Sequence, residues 1–333
     1  MNPRATRLAP VLLLTGCQGW QSALDSHGPQ ARTLEALFWT FTVVLSVVWL
    51  ATMAALLLSL RRRRPAGEDP LAVRPTTERR MTVSVSVAVG LTFVTVLALT
   101  ALSYGGQKAV FSTKDGAVTL KVTGRQWWWQ IEYEDEAPAR RFTTANEIHI
   151  PVGVPVLIKL ESSDVIHSFW VPSLAGKLDL VPGRQNQIQI QADRPGTYRG
   201  QCAEYCGFQH AHMGMLVVAE SMQDFERWRD RQVSAALSPA DDEARRGHEI
   251  FFAKPCIMCH QIRGTSAGGR VAPDLTHVGS RRTIAAGTLE NTRGNLAAWI
   301  VDPQGIKPGA HMPVIKLEPD EVQPLAVYLE SLK

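Results

Sequence analysis

The stretch QCAEYCGFQHAHM, residues 201–213, decides how the middle of this 333-residue chain folds. It holds two cysteines, two histidines and a methionine within thirteen residues. Thiolates, imidazoles and a thioether together are a donor set that copper favours, and a single-copper electron-transfer site takes one cysteine, two histidines and a weak axial methionine. The second cysteine of the stretch instead indicates two thiolates that bridge a pair of copper ions.

The remaining copper donors follow from the same pattern. His167, in DVIHSFW, is the upstream imidazole, so that each copper ion has one terminal histidine. The ligands that we expect are His167, Cys202, Cys206, His210 and Met213, with the backbone carbonyl of Glu204 in a weak position. His212 is an alternative to His210, which the spacing slightly favours. We expect His149 to be an ordinary surface or edge histidine.

A disulfide and a zinc site are the alternatives to copper at Cys202 and Cys206. A disulfide between them is plausible in an oxidising compartment, but it leaves His210 and Met213 without a role. Zinc binds two cysteines and two histidines in many proteins, but it has no use for a methionine. Copper is the interpretation that uses all of these donors.

Short β-rich runs separated by turns flank this stretch between about Val110 and Ala219. AVTLKVTG, NEIHIPVG and QNQIQIQAD are examples. Many short strands without a long helical pattern predict a β-sandwich or barrel, which we place at residues 108–220. Residues 221–240 are polar and contain an amphipathic helical pattern around Phe225–Gln232, and we expect them to form a linker.

Two long uncharged segments, residues 36–60 and 81–104, precede the β-rich region. Each exceeds the ~20 residues that cross the hydrocarbon core of a bilayer as a helix. The loop between them, residues 61–80, contains seven arginines, and the positive-inside rule places such a loop in the cytoplasm and both flanks outside. These features predict a transmembrane hairpin over residues 30–107. The alternating VSVSVAV at the start of the second segment favours a strand, but the length of the segment outweighs it.

The N-terminus, residues 1–17, combines two arginines, a short apolar run and the ending LTGC. This pattern predicts a signal peptide, because the apolar run is too short to span a bilayer. LTGC resembles a bacterial lipobox, which implies that Cys17 is the lipidated first residue of the mature protein. The alternative is a plain signal peptide with an incidental cysteine.

The stretch KPCIMCHQ, residues 254–261, contains the CxxCH motif that attaches haem c. Cys256 and Cys259 would form the two thioethers, and His260 would be the proximal iron ligand. A thioredoxin-like redox pair would need a βαβ setting that is missing here. Met312, in KPGAHMPVI, is the expected sixth ligand, and the weaker alternatives are His311, His277 and Met258. Residues 241–333, with helical ends and Gly/Pro-rich middle segments, are similar to the small α-helical class I cytochromes c.

Several motifs together resemble subunit II of the haem–copper cytochrome c oxidases. These are CxExCGxxHxxM at 202–213, HSFW at 167–170, LDLVPGRQNQ at 178–187 and the aromatic run after GRQ. The resemblance covers about residues 30–220, and the C-terminal cytochrome makes the chain similar to the caa-type oxidases. It implies a cupredoxin fold that carries the dinuclear copper centre CuA. One departure is GRQWWW, where the family often has GHQWYW.

The resemblance also implies roles for individual residues. The six copper ligands named above match those of CuA, and Trp127 matches the aromatic residue through which electrons reach CuA, although core packing is the alternative for it. The carboxylates of Asp179 and Glu204 match positions of a magnesium site shared with subunit I. The alternative for Asp179 is a turn residue before Pro182–Gly183.

The predicted architecture is therefore a multidomain membrane protein with a two-helix transmembrane hairpin, an all-β cupredoxin-like domain and a class I cytochrome c domain. The resemblance implies a bacterial inner-membrane, proton-translocating oxidase, in which haem c passes electrons to CuA and then to subunit I for reduction of oxygen to water. A cytochrome c or a quinol–cytochrome c reductase would be the donor. The alternatives are a nitric oxide reductase subunit and a non-catalytic membrane-bound electron carrier. The basic cluster beside apolar segments favours membrane lipid over nucleic acid as a partner.

Overall fold

The computed structural model describes residues 18–61, 75–112 and 118–333. The chain divides into two compact units. One is Arg32–Phe111, and the other combines the segment that ends at Ala31 with Ser112–Lys333. The predicted signal peptide with Cys17 lies outside the described residues.

The first unit consists of two long helices, α1 (Pro29–Arg61, which begins in the other unit) and α2 (Pro75–Phe111). Both are long and apolar enough to cross a membrane, and the apolar side chains along them are exposed. The prediction of two apolar N-terminal helices is confirmed, and VSVSVAV is helical. Both helices are longer than the uncharged segments 36–60 and 81–104. The polar residues that flank each segment are also helical. Of the predicted arginine-rich loop, residues 62–74 lie outside the described residues, and Pro75–Arg80 already belong to α2.

The β-rich region of the second unit forms two five-stranded sheets that enclose one core. The strands are β1 (Val118–Arg125), β2 (Trp128–Glu134), β3 (Phe142–Ala145), β4 (Glu147–Pro151), β5 (Val156–Ser162), β6 (His167–Trp170), β7 (Leu178–Leu180), β8 (Asn186–Ile190), β9 (Gly196–Cys202) and β10 (Gly214–Glu220). The sheet orders are β3-β2-β1-β5-β8 and β4-β10-β9-β6-β7. The pairs β1/β5 and β4/β10 are parallel, and the other pairs are antiparallel. Alternate residues of β2, such as Trp129 and Ile131, are buried because strand side chains alternate between faces. This confirms the predicted sandwich, which we call the copper domain.

The predicted linker contains a helix that packs into the copper domain. Helix α3 (Met222–Val233) begins at Ser221, whose side chain caps it by accepting from the Asp224 amide. Phe225 and Trp228 of α3 join the core between the sheets. His149 lies on the edge strand β4 as expected, but it is buried rather than exposed, because its ring stacks on Trp228.

Residues 18–28 pack against the copper domain although they precede the hairpin. The His27 amide donates to Ser173, and the Asp193 amide donates to the His27 carbonyl, both over 2.7 Å. The Arg199 amide donates to the Trp20 carbonyl over 3.0 Å, and the Arg199 guanidinium lies over the Trp20 ring. The segment therefore adds to the folded surface of this domain.

The C-terminal part is helical, as predicted, and also contains a short two-stranded hairpin that the sequence did not indicate. We call it the cytochrome domain. Helices α4 (Asp242–Ala253) and α8 (Pro319–Ser331) pack closely where Gly247 faces the Pro324 carbonyl. A Cβ at Gly247 would lie 2.0 Å from that oxygen. Asp241 caps α4, and Glu318 and Glu321 form a capping box at the start of α8. The elements are α4 (Asp242–Ala253), α5 (Cys256–Cys259), β11 (Thr283–Ile284), β12 (Leu289–Glu290), α6 (Arg293–Val301), α7 (Pro303–Ile306) and α8 (Pro319–Ser331).

Candidate functional site

The predicted copper donors lie at one end of the second sheet. His167 begins β6, Cys202 ends β9, and the loop that follows returns to β10 after Met213. Strands β6 and β9 pair antiparallel, with Phe169 opposite Cys202. The Cys202 amide also donates to the Met213 carbonyl over 2.9 Å, which closes the loop at its base. Distant parts of the sequence therefore meet through ordinary strand pairing.

The donor atoms lie within a few ångströms of one another. Cys202 Sγ is 3.7 Å from Cys206 Sγ, 3.8 Å from His167 Nδ1 and 3.2 Å from the Glu204 carbonyl. Cys206 Sγ is 3.7 Å from His210 Nδ1 and 3.8 Å from Met213 Sδ. The two cysteines are free thiols. The structure thus brings together all six predicted copper donors.

Burial and charge in this cluster favour a bound cation. His167, Cys202, Cys206 and Met213 are all buried. The hydrogen bond between the two thiols lowers the pKa of Cys202 to about 3, and the same bond raises the pKa of Cys206. Two buried thiolates this close do not both ionise without nearby positive charge. A metal ion supplies that charge and displaces the proton, so the residues fit a copper pair.

His167 is held in place by groups around it. Its Nε2 lies 2.8 Å from Asp164 Oδ1, which leaves Nδ1 turned toward Cys202. Burial alone would lower the pKa of His167, but hydrogen bonds with Asp164 and Cys202 raise it. Gly124 leaves room for the ring, because a Cβ there would lie 2.6 Å from His167 Cδ2. A carboxylate that orients a ligating imidazole is common at metal sites, and Asp164 is a functional candidate that the sequence pattern did not reveal.

The structure separates the two histidines of the loop. His210 Nδ1 faces Cys206 Sγ, whereas His212 Nδ1 lies 2.7 Å from Gln209 Oε1. Both belong to one short 3₁₀ turn, His210–His212. The geometry therefore agrees with the predicted preference for His210.

Trp127 lies beside the copper donors. Its indole Nε1–H donates to the Cys206 carbonyl over 3.0 Å, and Gln126 Nε2 donates to the same oxygen over 2.7 Å. Only 7% of Trp127 is exposed, and it belongs to the core of the copper domain. The same side chain therefore contributes to core packing and contacts the backbone of a donor residue.

Among the residues that the structure describes, Asp179 and Glu204 belong to no cluster of three or more cation donors. Asp179 lies on β7 opposite Ser168, so it is a strand residue rather than a turn residue. Glu204 is exposed in the connection between β9 and β10, residues 203–213, which we call the copper loop. Among the described residues, the only group of at least three His, Cys, Asp or Glu donors close enough to share an ion is His167, Cys202 and Cys206.

The attachment motif forms one helical turn, α5, followed by His260. His260 Nδ1–H donates to the Pro273 carbonyl over 2.7 Å, which fixes the ring and leaves Nε2 for a ligand. Burial lowers the pKa of His260, so the neutral form that binds metals is favoured. Cys256 and Cys259 are free thiols, and Gly269 packs directly on the Cys259 backbone. The motif therefore fits covalent haem c.

The candidates for the sixth iron ligand differ in their surroundings. Met312 is half-buried in the loop between α7 and α8, where Gln304 Nε2 donates to its carbonyl over 2.8 Å. His277 Nε2 lies 3.2 Å from the Ser234 carbonyl, and 72% of Met258 is exposed in the attachment turn. His311 is exposed, with its ring centroid 5.6 Å from that of Trp127.

The cytochrome domain contacts the copper loop through residues that the sequence motifs do not indicate. Lys307 Nζ donates to the Trp127 carbonyl over 2.7 Å, and Gln209 Nε2 donates to the Pro308 carbonyl over 2.6 Å. The Gly214 amide donates to the Ala286 carbonyl over 2.9 Å. These contacts join positions far apart in sequence, and nothing in the local pattern of KPGAHM indicates them.

Comparison with known proteins gives two family matches. The profile of the periplasmic domain of cytochrome C oxidase subunit II matches residues 135–221, and the cytochrome c profile matches residues 244–333. The cytochrome c oxidase subunit 2 of Alkalihalophilus pseudofirmus OF4 is 36% identical over 340 residues, which cover 99% of this chain and 97% of that protein. The Bacillus subtilis subunit 2 is 34% identical over 230 residues, 66% of this chain and 63% of that protein.

Among solved structures, the periplasmic domain of subunit II of cytochrome oxidase from Bradyrhizobium japonicum is 29% identical. The match covers 36% of this chain and 96% of that one, with a TM-score of 0.35.

Proposed function

Because this chain belongs to the cytochrome c oxidase subunit II family, we propose that it carries electrons from a covalent haem c to a dinuclear CuA centre and on to the haem of subunit I. Its place in an oxidase complex follows from the family. Reduction of oxygen to water takes place in subunit I, and the complex is proton-translocating. The donor class is a cytochrome c or a quinol–cytochrome c reductase.

The cluster of buried sulfur and imidazole donors is the single observation that carries this proposal. The CuA ligands are His167, Cys202, Cys206, His210 and Met213, with the Glu204 carbonyl. A bound copper pair would supply a one-electron carrier that gains and loses its electron with little rearrangement of these donors. Strand pairing at His167 and Cys202 and the closed loop base hold these donors in a fixed frame.

In the cytochrome domain, Cys256 and Cys259 would hold the haem, and His260 and Met312 would bind its iron. Bound haem c supplies a reversible one-electron couple, and a Met/His ligand pair raises its potential. The Pro273 carbonyl orients His260, and Gln304 holds the backbone of Met312. Trp127 would be the entry point for electrons to CuA, because its ring lies 5.6 Å from the His311 ring and its indole donates to the Cys206 carbonyl.

The two apolar helices, each long enough to cross a bilayer, support a membrane location for the chain. We assign it to the bacterial inner membrane, with the arginine-rich loop in the cytoplasm and the copper and cytochrome domains outside. Cys17 would be the lipidated N-terminus. A magnesium ion shared with subunit I would be held by the carboxylates of Asp179 and Glu204, with further ligands from that subunit.

His210 and His212 provide a matched pair of variants for testing the copper assignment. In the complex purified in mild detergent, we expect His210→Ala to lose the mixed-valence copper signal in paramagnetic resonance. His212→Ala should keep this signal, because its ring contacts Gln209 rather than a sulfur. Both variants should keep the haem c absorption. A copper signal that survives in His210→Ala, or wild-type protein that holds no copper after reconstitution, would contradict the proposal.

A further inference from the structure

Lys307 is a buried lysine at the contact between the cytochrome domain and the copper domain. Only 3% of it is exposed. Its Nζ donates to the Trp127 carbonyl over 2.7 Å and to the Ala285 carbonyl over 3.3 Å. Among the described residues it has no carboxylate within ion-pair distance. Lysine is almost never fully buried without a charged partner, because losing its hydration is costly.

The free-energy cost of burying the charged Lys307 side chain is reflected in a lowered pKa. Burial lowers the pKa of Lys307 to about 7. A residue of apolar character would fill the same space without this cost, as replacements of buried charges by apolar groups show in other proteins. The two carbonyls that Lys307 joins belong to different domains, Trp127 to the copper domain and Ala285 to the cytochrome domain. The side chain therefore connects the two domains at one point.

Other contacts surround this point and keep the two surfaces together. The Gln209 side chain and the Gly214 amide, both in or next to the copper loop, donate to carbonyls of the cytochrome domain. In the opposite direction, the Arg282 amide donates to Glu147 Oε2 over 2.8 Å. Each of these bonds includes a backbone amide or carbonyl. The contact therefore depends on where the two backbones lie, and not on the ends of flexible charged side chains.

The docked surface lies at the residue proposed to conduct electrons into CuA. Trp127 accepts from Lys307 through its carbonyl and donates to the Cys206 carbonyl through its indole. Its ring lies 5.6 Å from that of His311, the neighbour of the proposed iron ligand Met312. Moving Lys307 away from Trp127 would therefore loosen the contact between the two cofactor sites at Trp127.

We propose that Lys307 is a positioning residue that holds the cytochrome domain on the copper domain at Trp127 and thereby fixes the path of electrons between the two sites. The inference rests on the proposed function. The step that it serves is the movement of one electron from reduced haem c to oxidised CuA, and no bond forms or breaks in it. The hydrogen bonds of Lys307 go to the Trp127 and Ala285 carbonyls and not to a proposed copper or haem ligand, so it acts through Trp127 and the docked geometry.

Lys307→Met tests this role, with Lys316→Met as the matched control. Methionine removes the amine donors and keeps a flexible apolar chain of similar length. Lys316 lies in the same loop region but is 92% exposed. In the intact complex, we expect Lys307→Met to slow electron transfer from photoreduced haem c to copper at least tenfold, whereas Lys316→Met retains the wild-type rate.

Hydrogen exchange gives a readout that does not depend on electron transfer. We expect Lys307→Met to raise amide exchange at least tenfold in the copper loop around Gly214 and in the segment around Ala286, while the haem and copper spectra stay unchanged. Lys307→Gln keeps a hydrogen-bond donor on a shorter side chain, so its amide exchange rates should lie between those of the wild-type protein and Lys307→Met.

The outcomes separate this inference from the proposed function. Unchanged exchange and transfer in both Lys307 variants would overturn the positioning role, even if haem c and CuA are present. Changed haem or copper spectra in both Lys307 variants would also overturn it, because Lys307 would then support a cofactor site rather than docking. Wild-type protein without a copper or haem c signal would instead refute the proposed function.

Discussion

His149 lies between two carboxylates inside the copper domain. Its Nδ1 is 2.8 Å from Glu220 Oε1, and its Nε2 is 3.1 Å from Glu147 Oε1. Its ring stacks on Trp228 with centroids 4.1 Å apart. Tyr133 adds two contacts, because its hydroxyl accepts from the His149 amide and donates to the His149 carbonyl. Burial alone would lower the pKa of His149, but the hydrogen bonds with both carboxylates raise it.

This raised pKa predicts a pH-dependent stability of the copper domain. A histidine whose pKa is higher in the folded chain stabilises the fold fully below its unfolded value of about 6.5. That contribution is lost as the pH rises through the folded pKa. We therefore expect the urea midpoint of the wild-type protein to fall as the pH rises above about 6.5. His149→Gln should remove this part of the slope. A slope that is unchanged in the variant would show that other groups cause it.

Residue identity and local spacing predict a set of copper donors whose side chains the structure brings together. The five side chains and one carbonyl lie in two short motifs whose ends are adjacent strands, so the structure brings together what the pattern names. Asp164 and Lys307 were missed for different reasons. Asp164 precedes His167 in a loop where an aspartate has no distinctive spacing. Lys307 acquires its role from a contact with Trp127, 180 positions away in the sequence.

Helices α4 and α8 show how one position can set the packing of two elements. A Cβ at Gly247 would lie 2.0 Å from the Pro324 carbonyl oxygen and 2.7 Å from Tyr328 Cβ. Pro324 and Tyr328 are both buried in α8, so neither backbone can yield without moving the helix. The sequence predicts helical ends for residues 241–333. It does not predict that Gly247 is the point of closest approach, because a glycine within a helical pattern can equally mark a helix end or an exposed position.

Gly247→Ala should therefore push the two helices apart and destabilise the cytochrome domain. Gly294→Ala is the matched control, because Gly294 also lies in a helix but has no atom within 4 Å of its Cβ position. We expect the control to be neutral or to gain up to about 1 kcal/mol, since alanine favours helices. Gly247→Ala should lose about 1–3 kcal/mol or more, as overpacked sites do. Thermal unfolding, monitored through the haem absorption, measures the stability of the two variants. Equal stability of the two variants would contradict the packing argument.

At the scale of the whole molecule, the boundary between the copper and cytochrome domains lies after α3. The core of the copper domain includes Phe225 and Trp228, whereas the cytochrome domain has its own separate apolar clusters. The polar composition of residues 221–240 predicts a linker, and only the packed structure shows that α3 covers one side of the sandwich. Amphipathic periodicity indicates that a helix is present but not which surface its apolar face meets.

Two truncated chains test this boundary. A chain that stops after Val233 should keep the copper signal in the complex and lose only the haem c signal. A chain that stops after Glu220 lacks both core aromatics of α3, each of which contributes about 3–5 kcal/mol when deleted from a core. We expect this shorter chain to be strongly destabilised and to assemble with little copper. Equal copper content in the two truncated chains would place α3 outside the copper domain.

The segment of residues 18–28 has a consequence for how the copper domain is completed. Along the sequence, the two long helices α1 and α2 stand between this segment and the rest of the copper domain. Its backbone supplies partners to Ser173, Asp193 and Arg199, and Gly28 fits so closely that a Cβ would lie 2.3 Å from the Gln191 carbonyl. The domain is thus assembled from two segments, like a fragment-complementation pair. A soluble fragment cut just after Phe111 would lack its first segment, and a synthetic peptide of residues 18–28 should bind it and raise its melting temperature.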